Sequence, residues 1–544
     1  MALICLSTAG FRVGRQKNEQ PKAVVQIAHG LAEQAATLAQ FARSFLKSLT
    51  IIQAIVPKLA KERTQENQSK IEAAALELFT TQGFHGTNNR EIAEMIGVST
   101  GTLYTYFPNK ESIFARLAQN YRVHMDQWRK QTIGGLKDPL SRGGLKNLAA
   151  AVQELMYDDS ESFLIILSDV IEFGNQHFLQ VFHDVPQQFR RLLGPALDAV
   201  KKQPNWRGED PAFVLASMYV YFFTYFLMEK HMQGEHHLGL SNDQATEQFI
   251  DLLSHGLWRA PATAQGKSNE RGRIHQPPDR TAPKQSFQVE RERIDYLRFL
   301  SGRLWSLPPD TPLHARNGSG TPLTKPPILF LPEIPRDRID ENQLRIEAAA
   351  LELFTRQGFH GTNMRDIAKK AEVSQGAIYM YYESKERIFE GLVRSYRQSM
   401  RMFLERVFRV LEDPFSQEGL RLFAAAMRSM VYDDAEYWLL MYIDVIEFKN
   451  RHFLTAFHDV PEQFRRLLGP AAARVKKQAA WCGQDPALAM AMIYFYFHTY
   501  FVIERLMHGN RHLGVADEEA IARFVDVLLY GVWTSSTGQA KKKK

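Results

Sequence analysis

The chain has 544 residues (62.4 kDa), 45% hydrophobic, 23% charged and with a formal net charge of +7, a length that points to several domains and a composition that excludes disordered and fibrous classes. Cys5 and Cys482 lie far apart, which excludes a disulfide framework and a Cys-rich metal site. The positive charge sits in residues 1–65 (roughly +6), residues 259–340 (roughly +5) and the tail Lys541–Lys544 (roughly +4), leaving the remainder near roughly −8, so basicity alone argues for no partner.

The opening MALICLSTAGFRVGRQKNEQ has no basic residue ahead of its apolar stretch, and Arg12 and Arg15 close it early. It does not read as a signal peptide, and a cytoplasmic location is expected. Residues 1–65 form an extension in which Val24, Ile27, Leu31, Leu38, Phe41 and Phe45 give residues 22–56 a helical pattern. Ile71, Ala74, Ala75, Leu78 and Phe79 then mark the apolar face of a helix that Gly83 ends. Asn88 with Glu91 makes a capping box for a short helix bearing Ile92, Ala93 and Ile96. After Gly97 and Val98, Ser99 caps a third helix, Thr100 to Tyr106, with Leu103 and Phe107 turned inward. Three short helices in this order suggest a helix-turn-helix.

Everything after that is helical in pattern, with breaks expected near Asp138-Pro139, Asp158-Asp159, Pro186, Gly194-Pro195, Asp210-Pro211 and Gly239. The uncharged run Ala212 to Met228 is about the shortest that could cross a bilayer. Its Ser, Thr and Tyr residues, and Pro211 before it, favour a buried helix, so no membrane association is expected. Within FLIILSDVIEF lie Asp169 and Glu172, followed by His177. Acidic groups on an apolar helix are costly unless paired. They are candidates for contact with a cationic effector, or else they are capped or bridged by Arg190 and Arg191. No ligand spacing is diagnostic of a metal, and neither metal nor cofactor is expected. Without GxSxG, P-loop, GxGxxG or HExxH patterns, the chain does not read as an enzyme.

Residues 259–340 are rich in Pro, Gly and Ser and read as a linker, with one amphipathic stretch from Ser286 to Leu304. Beyond it the chain repeats itself. IEAAALELFT at Ile71 recurs at Ile346, FHDVP at Phe182 recurs at Phe457, and about half the positions agree at one gapless offset from 66–258 to 341–533. The second copy has Asn363 with Asp366 for the capping box, Glu372 in place of Gly97, and Asp444, Glu447 and His452 in the apolar helix. Where Gly97 needs a positive φ, Glu372 costs about 1 kcal/mol.

LFTTQGFHGTNNREIAEMIGVSTGTLYTYFPNKESIF and LFTRQGFHGTNMRDIAKKAEVSQGAIYMYYESKERIF resemble the DNA-binding segment of the tetracycline-repressor (TetR) family. The resemblance implies an all-α protein of two TetR-like modules, each an N-terminal three-helix helix-turn-helix domain plus a C-terminal helical ligand-binding and dimerisation domain. The expected domains are 66–126 and 127–258, then 341–401 and 402–533, with 534–544 as a basic tail. In the recognition helices, Thr100, Gly101, Thr102, Tyr104, Thr105 and Tyr106, and their counterparts Gln375, Gly376, Ala377, Tyr379, Met380 and Tyr381, could meet base edges and backbone in a major groove. Tyr106 and Tyr381 could instead pack inward. Thr87, Asn88 and Lys110, with Thr362, Asn363 and Lys385, are expected on phosphates. The resemblance further implies a ligand-released repressor acting on a double-stranded DNA operator, with a small-molecule effector. Its last two helices, Pro211 to Met232 and Asn242 to Trp258, with Pro486 to Met507 and Asp517 to Trp533, would pair either the two modules of one chain or two whole chains. Against this stands a helical scaffold without sequence-specific DNA binding.

Overall fold

The computed structural model describes residues 29–30, 40, 63–207, 210–231, 237–256, 341–454, 460–481, 483, 485–507 and 511–531. The linker with its amphipathic stretch and the basic tail lie outside them, as does most of the extension, of which residues 29–30, 40 and 63–65 are helical. The chain divides into Met1–Lys70 and Ile71–Lys544. In the first unit residues 63–70 are helical, and Lys70 pairs with Glu66 at 2.7 Å.

The second unit is all-α, with no β-strand among the described residues. Its first module comprises α1 (71–86), α2 (Asn89–Met95), α3 (Thr100–Tyr106), α4 (Lys110–Trp128), α5 (Arg142–Asp158), α6 (Ser160–Phe173), α7 (Val185–Lys201), α8 (Pro211–His231) and α9 (Asn242–His255). The second comprises α10 (Glu341–Gln357), α11 (Met364–Lys370), α12 (Gln375–Tyr381), α13 (Lys385–Val410), α14 (Gln417–Asp433), α15 (Ala435–Phe448), α16 (Val460–Leu468), α17 (Pro470–Lys476), α18 (Pro486–Arg505) and α19 (Asp517–Tyr530).

Two departures separate the copies. Helix α4 runs into a π-helical turn at Arg129–Ile133, whereas α13 continues unbroken over 26 residues. Helix α7 passes straight through Gly194 and Pro195, so the break expected there is absent; its counterpart Gly469, at φ 47° and ψ −127°, separates α16 from α17.

Helices α8 and α18 are long and apolar enough to span a bilayer by length, yet 94% of each apolar window is buried. They lie in the core of the second unit, as the buried-helix reading of Ala212 to Met228 expects. Their rings meet across the modules, Phe213 stacking on Phe524 at 5.3 Å and Tyr496 lying 6.0 Å from Phe249, so apolar faces that one module could not cover are removed from water by the other. The ends of α9 and α19 touch backbone to backbone. A Cβ built on Gly256 would lie 2.5 Å from Gly531 N, and one on Gly531 2.5 Å from Ser254 O. The pairing is reciprocal, as a two-fold interface requires: Val185 N donates to His512 O at 2.8 Å, and Val460 N donates to His237 O at 3.2 Å.

Candidate nucleic-acid interface

Each three-helix head is built on a small aromatic core. Phe79, Phe84 and Phe114 lie 5.2 to 5.8 Å apart beneath α2 and α3, and Phe354, Phe359 and Phe389 repeat the arrangement at 5.3 to 5.7 Å. Asn88 accepts from Glu91 N at 3.0 Å while Glu91 accepts from Asn88 N, a complete capping box. Asn363 caps α11 through Asp366 N, but the shorter Asp366 carboxylate bonds the Asn363 amide instead of its backbone. The turn into α3 needs a left-handed residue, Gly97 at φ 70° and Glu372 at φ 57°. Ser99 and Ser374 then cap the recognition helices, and Leu103 and Ile378 are fully buried on their inner faces.

What remains is outward. Tyr104 is 50% exposed, Tyr379 56% and Met380 85%, a large apolar surface with no internal function. Gly101, Thr105, Gln375 and Gly376 are exposed, and Thr100, Thr102 and Ala377 are partly so. Asn89 Nδ2 donates to Tyr104 O–H at 3.3 Å, fixing that ring against α2. Tyr106 and Tyr381 pack in part on the core, and Asn342 donates to the Tyr381 hydroxyl. These two tyrosines thus split between core and surface.

The side chains expected on phosphates are in part corrected. Thr87 and Thr362 are buried, their hydroxyls donating to Gly83 O at 2.9 Å and Gly358 O at 2.8 Å. Lys110 Nζ donates to Phe84 O and Thr87 O at 2.6 and 2.8 Å and stands 4.2 Å over the Phe84 ring. Lys385 does the same with Phe359 O, Thr362 O and the Phe359 ring. These carbonyls lie at or just beyond the end of the first helix of each head and carry partial negative charge, so a half-buried ammonium answers both. Burial also draws both lysines below the ordinary lysine pKa. Asn88 and Asn363 stay exposed, with their side chains spent on capping. The sequence reading missed the outer face of α2 and α11. There Arg90 and Glu94 of the first head become Arg365 and Lys369 of the second, which adds Lys370. The four-residue spacing of Arg365 and Lys369 opposite buried Ile367 and Ala368 was the available signal.

The acidic groups of the apolar helices are corrected too. Asp169 is fully buried and accepts from His177 N at 2.9 Å, His177 Nδ1 at 2.6 Å and Phe178 N at 3.3 Å. Asp444 repeats this with His452 and Phe453. These clusters terminate α6 and α15 and bond both carboxylates from within the fold, the capped alternative to an effector contact, while Arg190 pairs with Asp210. Glu172 and Glu447 face the heads. Glu447 accepts from Phe359 N and His360 N at 3.0 and 2.8 Å, and Glu172 Oε2 lies 2.7 Å from His85 Nε2. The junction crosses between modules: a Cβ on Gly83 would lie 3.1 Å from Glu447 Oε1, and one on Gly361 2.8 Å from His85 Cβ. Burial, with Glu172 nearby adding repulsion, pushes the Glu447 carboxyl up to about 7, and the Glu172 contact raises His85.

Comparison with known proteins agrees with this geometry. The model for bacterial regulatory proteins of the tetR family matches residues 71–117 and 346–392, the two heads. An uncharacterized HTH-type transcriptional regulator of Bacillus subtilis (strain 168) is 26% identical over 204 residues, covering 35% of this chain and 93% of that protein. The biofilm operon HTH-type negative transcriptional regulator of Staphylococcus epidermidis is 26% identical over 110 residues, 20% of this chain and 52% of that protein. The HTH-type transcriptional regulator RutR of Escherichia coli (strain K12) is 50% identical over 56 residues, 10% of this chain and 25% of that protein. The chain therefore spans about half the length of the second relative and about a quarter of the third. Two family segments, each folded as a capped helix-turn-helix and joined to a helical domain, make this chain a DNA-binding transcriptional regulator of the tetR family with its whole module written twice.

Proposed function

We propose that the chain is a cytoplasmic repressor that grips one operator with both of its own heads, the two modules taking the place of two subunits. The observation that carries this reading is the reciprocal pairing of α8 and α9 with α18 and α19. Recognition helices must stand about 34–36 Å apart, or a multiple, to enter successive major-groove turns, and a fixed pairing is what holds such a spacing. Repression is supported by the relative named as a negative regulator. On this reading the exposed faces of α3 and α12 read bases, and Arg90, Arg365, Lys369 and Lys370 hold the backbone. An effector would enter the helical domain rather than the Asp169 and Asp444 clusters. In the second module a cavity lies between α13, α15, α16 and α18, lined by Tyr396, Met400, Leu404, Trp438, Gln463 and Tyr494 among others.

The test is a mobility-shift titration on genomic fragments at several salt concentrations, with light scattering of the complex. A sequence-dependent shift that weakens steeply with salt, at a mass of one 62.4 kDa chain per operator, is expected. A helical scaffold gives no such shift.

A further inference from the structure

The two modules differ where that cavity lies. Leu404, on its wall, corresponds to Arg129 in the first module, and Gln463, Tyr494 and Trp438 correspond to Gln188, Tyr219 and Phe163. Arg129 is only 4% exposed. Its guanidinium donates to Gln188 Oε1 at 2.8 Å and to Val181 O at 3.1 Å, and stands 5.9 Å from the Tyr219 ring centroid. It therefore occupies the space beside Gln188 and Tyr219, two positions whose counterparts Gln463 and Tyr494 wall an opening in the second module. The π-helical turn that begins at Arg129 inserts an extra residue per turn where α13 stays regular.

We propose that effector binding is one-sided: among the described residues the second module offers an open cavity, and Arg129 closes the equivalent space in the first. This rests on the repressor reading above and deepens it. A buried guanidinium is costly unless its donors are met. Here both terminal nitrogens and the ring face are met from within the fold, while Nε has no acceptor among the described residues, so the group is a filler held by its two outer nitrogens. The open cavity is apolar and aromatic on most of its wall, with Gln463 within it and the exposed Arg397 at its edge. Trp438 is fully buried, and its indole N–H has no acceptor among the described residues; the first module has Phe163 there. Such a wall suits a mostly apolar molecule carrying a hydrogen-bond acceptor.

The test titrates the full chain with N-phenyl-1-naphthylamine, a neutral apolar fluorophore, and with 1-anilinonaphthalene-8-sulfonate, the same ring system bearing an anion. One neutral dye per chain is expected, with tryptophan-to-dye energy transfer that Trp438→Phe diminishes without abolishing binding. Leu404→Arg, which installs the filler, and Leu404→Phe, which fills without charge, should each weaken dye binding at least tenfold. Arg129→Leu should raise the count to two. Two dyes per chain in the wild type, none at all, or undiminished binding by both folded Leu404 variants would overturn the inference. So would a second, sulfonate-specific site lost in Arg129→Leu, because Arg129 would then be an anion receptor. Operator binding is measured on the same samples. Its loss with an intact dye count strikes the repressor reading alone, and the reverse strikes the one-sided cavity alone.

Discussion

Glu372 holds φ at 57° on an exposed turn where the first module has Gly97 at 70°. A Cβ at Gly97 meets nothing within 4 Å, so the only penalty for a side chain is backbone strain of about 1 kcal/mol, offset in part by the greater freedom of glycine in the unfolded chain. Glu372→Gly should stabilise the second head by up to about 1 kcal/mol, read as a higher urea midpoint at unchanged slope; a lower midpoint counts against the strain. This feature was legible in the sequence because a turn between helices two and three fixes its own φ. Lys110 was not, since a lysine at a helix start reads as a phosphate ligand until the fold brings the carbonyls of Phe84 and Thr87 to its ammonium. Glu447 was misread for the same reason: nothing local shows that Phe359 and His360 will present their N–H groups to it. Its carboxyl ionises near 4.5 when unfolded and at about 7 when folded. The folded state therefore holds an extra proton between those values, and stability falls as pH rises through that window. His85, raised by Glu172, adds a loss of the same sign at higher pH, whereas His360, lowered by burial and facing Lys385, works in the opposite direction below its unfolded pKa. Glu447→Gln should flatten the decline in melting temperature between pH 5 and pH 7; an equally steep decline in the variant would assign it to other groups.

At the scale of elements, the copies show how far periodicity carries and where it stops. Apolar spacing placed the recognition helices at Thr100–Tyr106 and Gln375–Tyr381, because a capping serine and an inward Leu103 or Ile378 act within one turn. The same reading put a break at Gly194-Pro195, yet α7 continues there and only Gly469 leaves helical geometry. A Gly-Pro pair permits a break without compelling one, and the packing around it decides. The crossing of α9 and α19 was likewise invisible, since Gly256 and Gly531 look like ordinary helix ends. Their φ of 74° and 72°, with ψ of −175° and 177°, lie in a region open essentially to glycine alone. A Cβ on either would also strike the opposing backbone at 2.5 Å. Gly531→Ala should therefore cost about 2 kcal/mol or more, seen as a lowered melting temperature together with faster proteolysis between modules. Wild-type stability in this variant would mean that the two helix ends do not meet in solution.

For the molecule as a whole, the fusion frees the two heads from matching each other. A homodimer repeats one recognition helix and so demands a symmetric operator. Here Thr100, Thr102 and Thr105 stand opposite Gln375, Ala377 and Met380, while the shared Tyr104 and Tyr379 remain exposed in both. Gln can pair bidentately with adenine and Met or Ala can meet a thymine methyl, whereas Thr offers a hydroxyl to several edges. The backbone grip differs as well, since α11 carries Arg365, Lys369 and Lys370 where α2 carries Arg90, Glu94 and Met95. The junction of His85, Glu172, His360 and Glu447 ties the heads to each other, so a ligand in one module has a physical route to both. An imperfect palindrome with unlike half-sites is the expected operator. Each good base contact is worth about 1–3 kcal/mol, enough for selection from random sequence to resolve the two halves. Replacing Gln375, Ala377 and Met380 with Thr should change the preferred bases of one half-site only. Arg365→Ala should instead weaken all sequences alike and reduce the salt slope by about 1. A perfectly symmetric consensus from the unmodified protein would mean that equivalent heads from two chains meet on the DNA, and a complex mass of two chains per operator would say the same by an independent route.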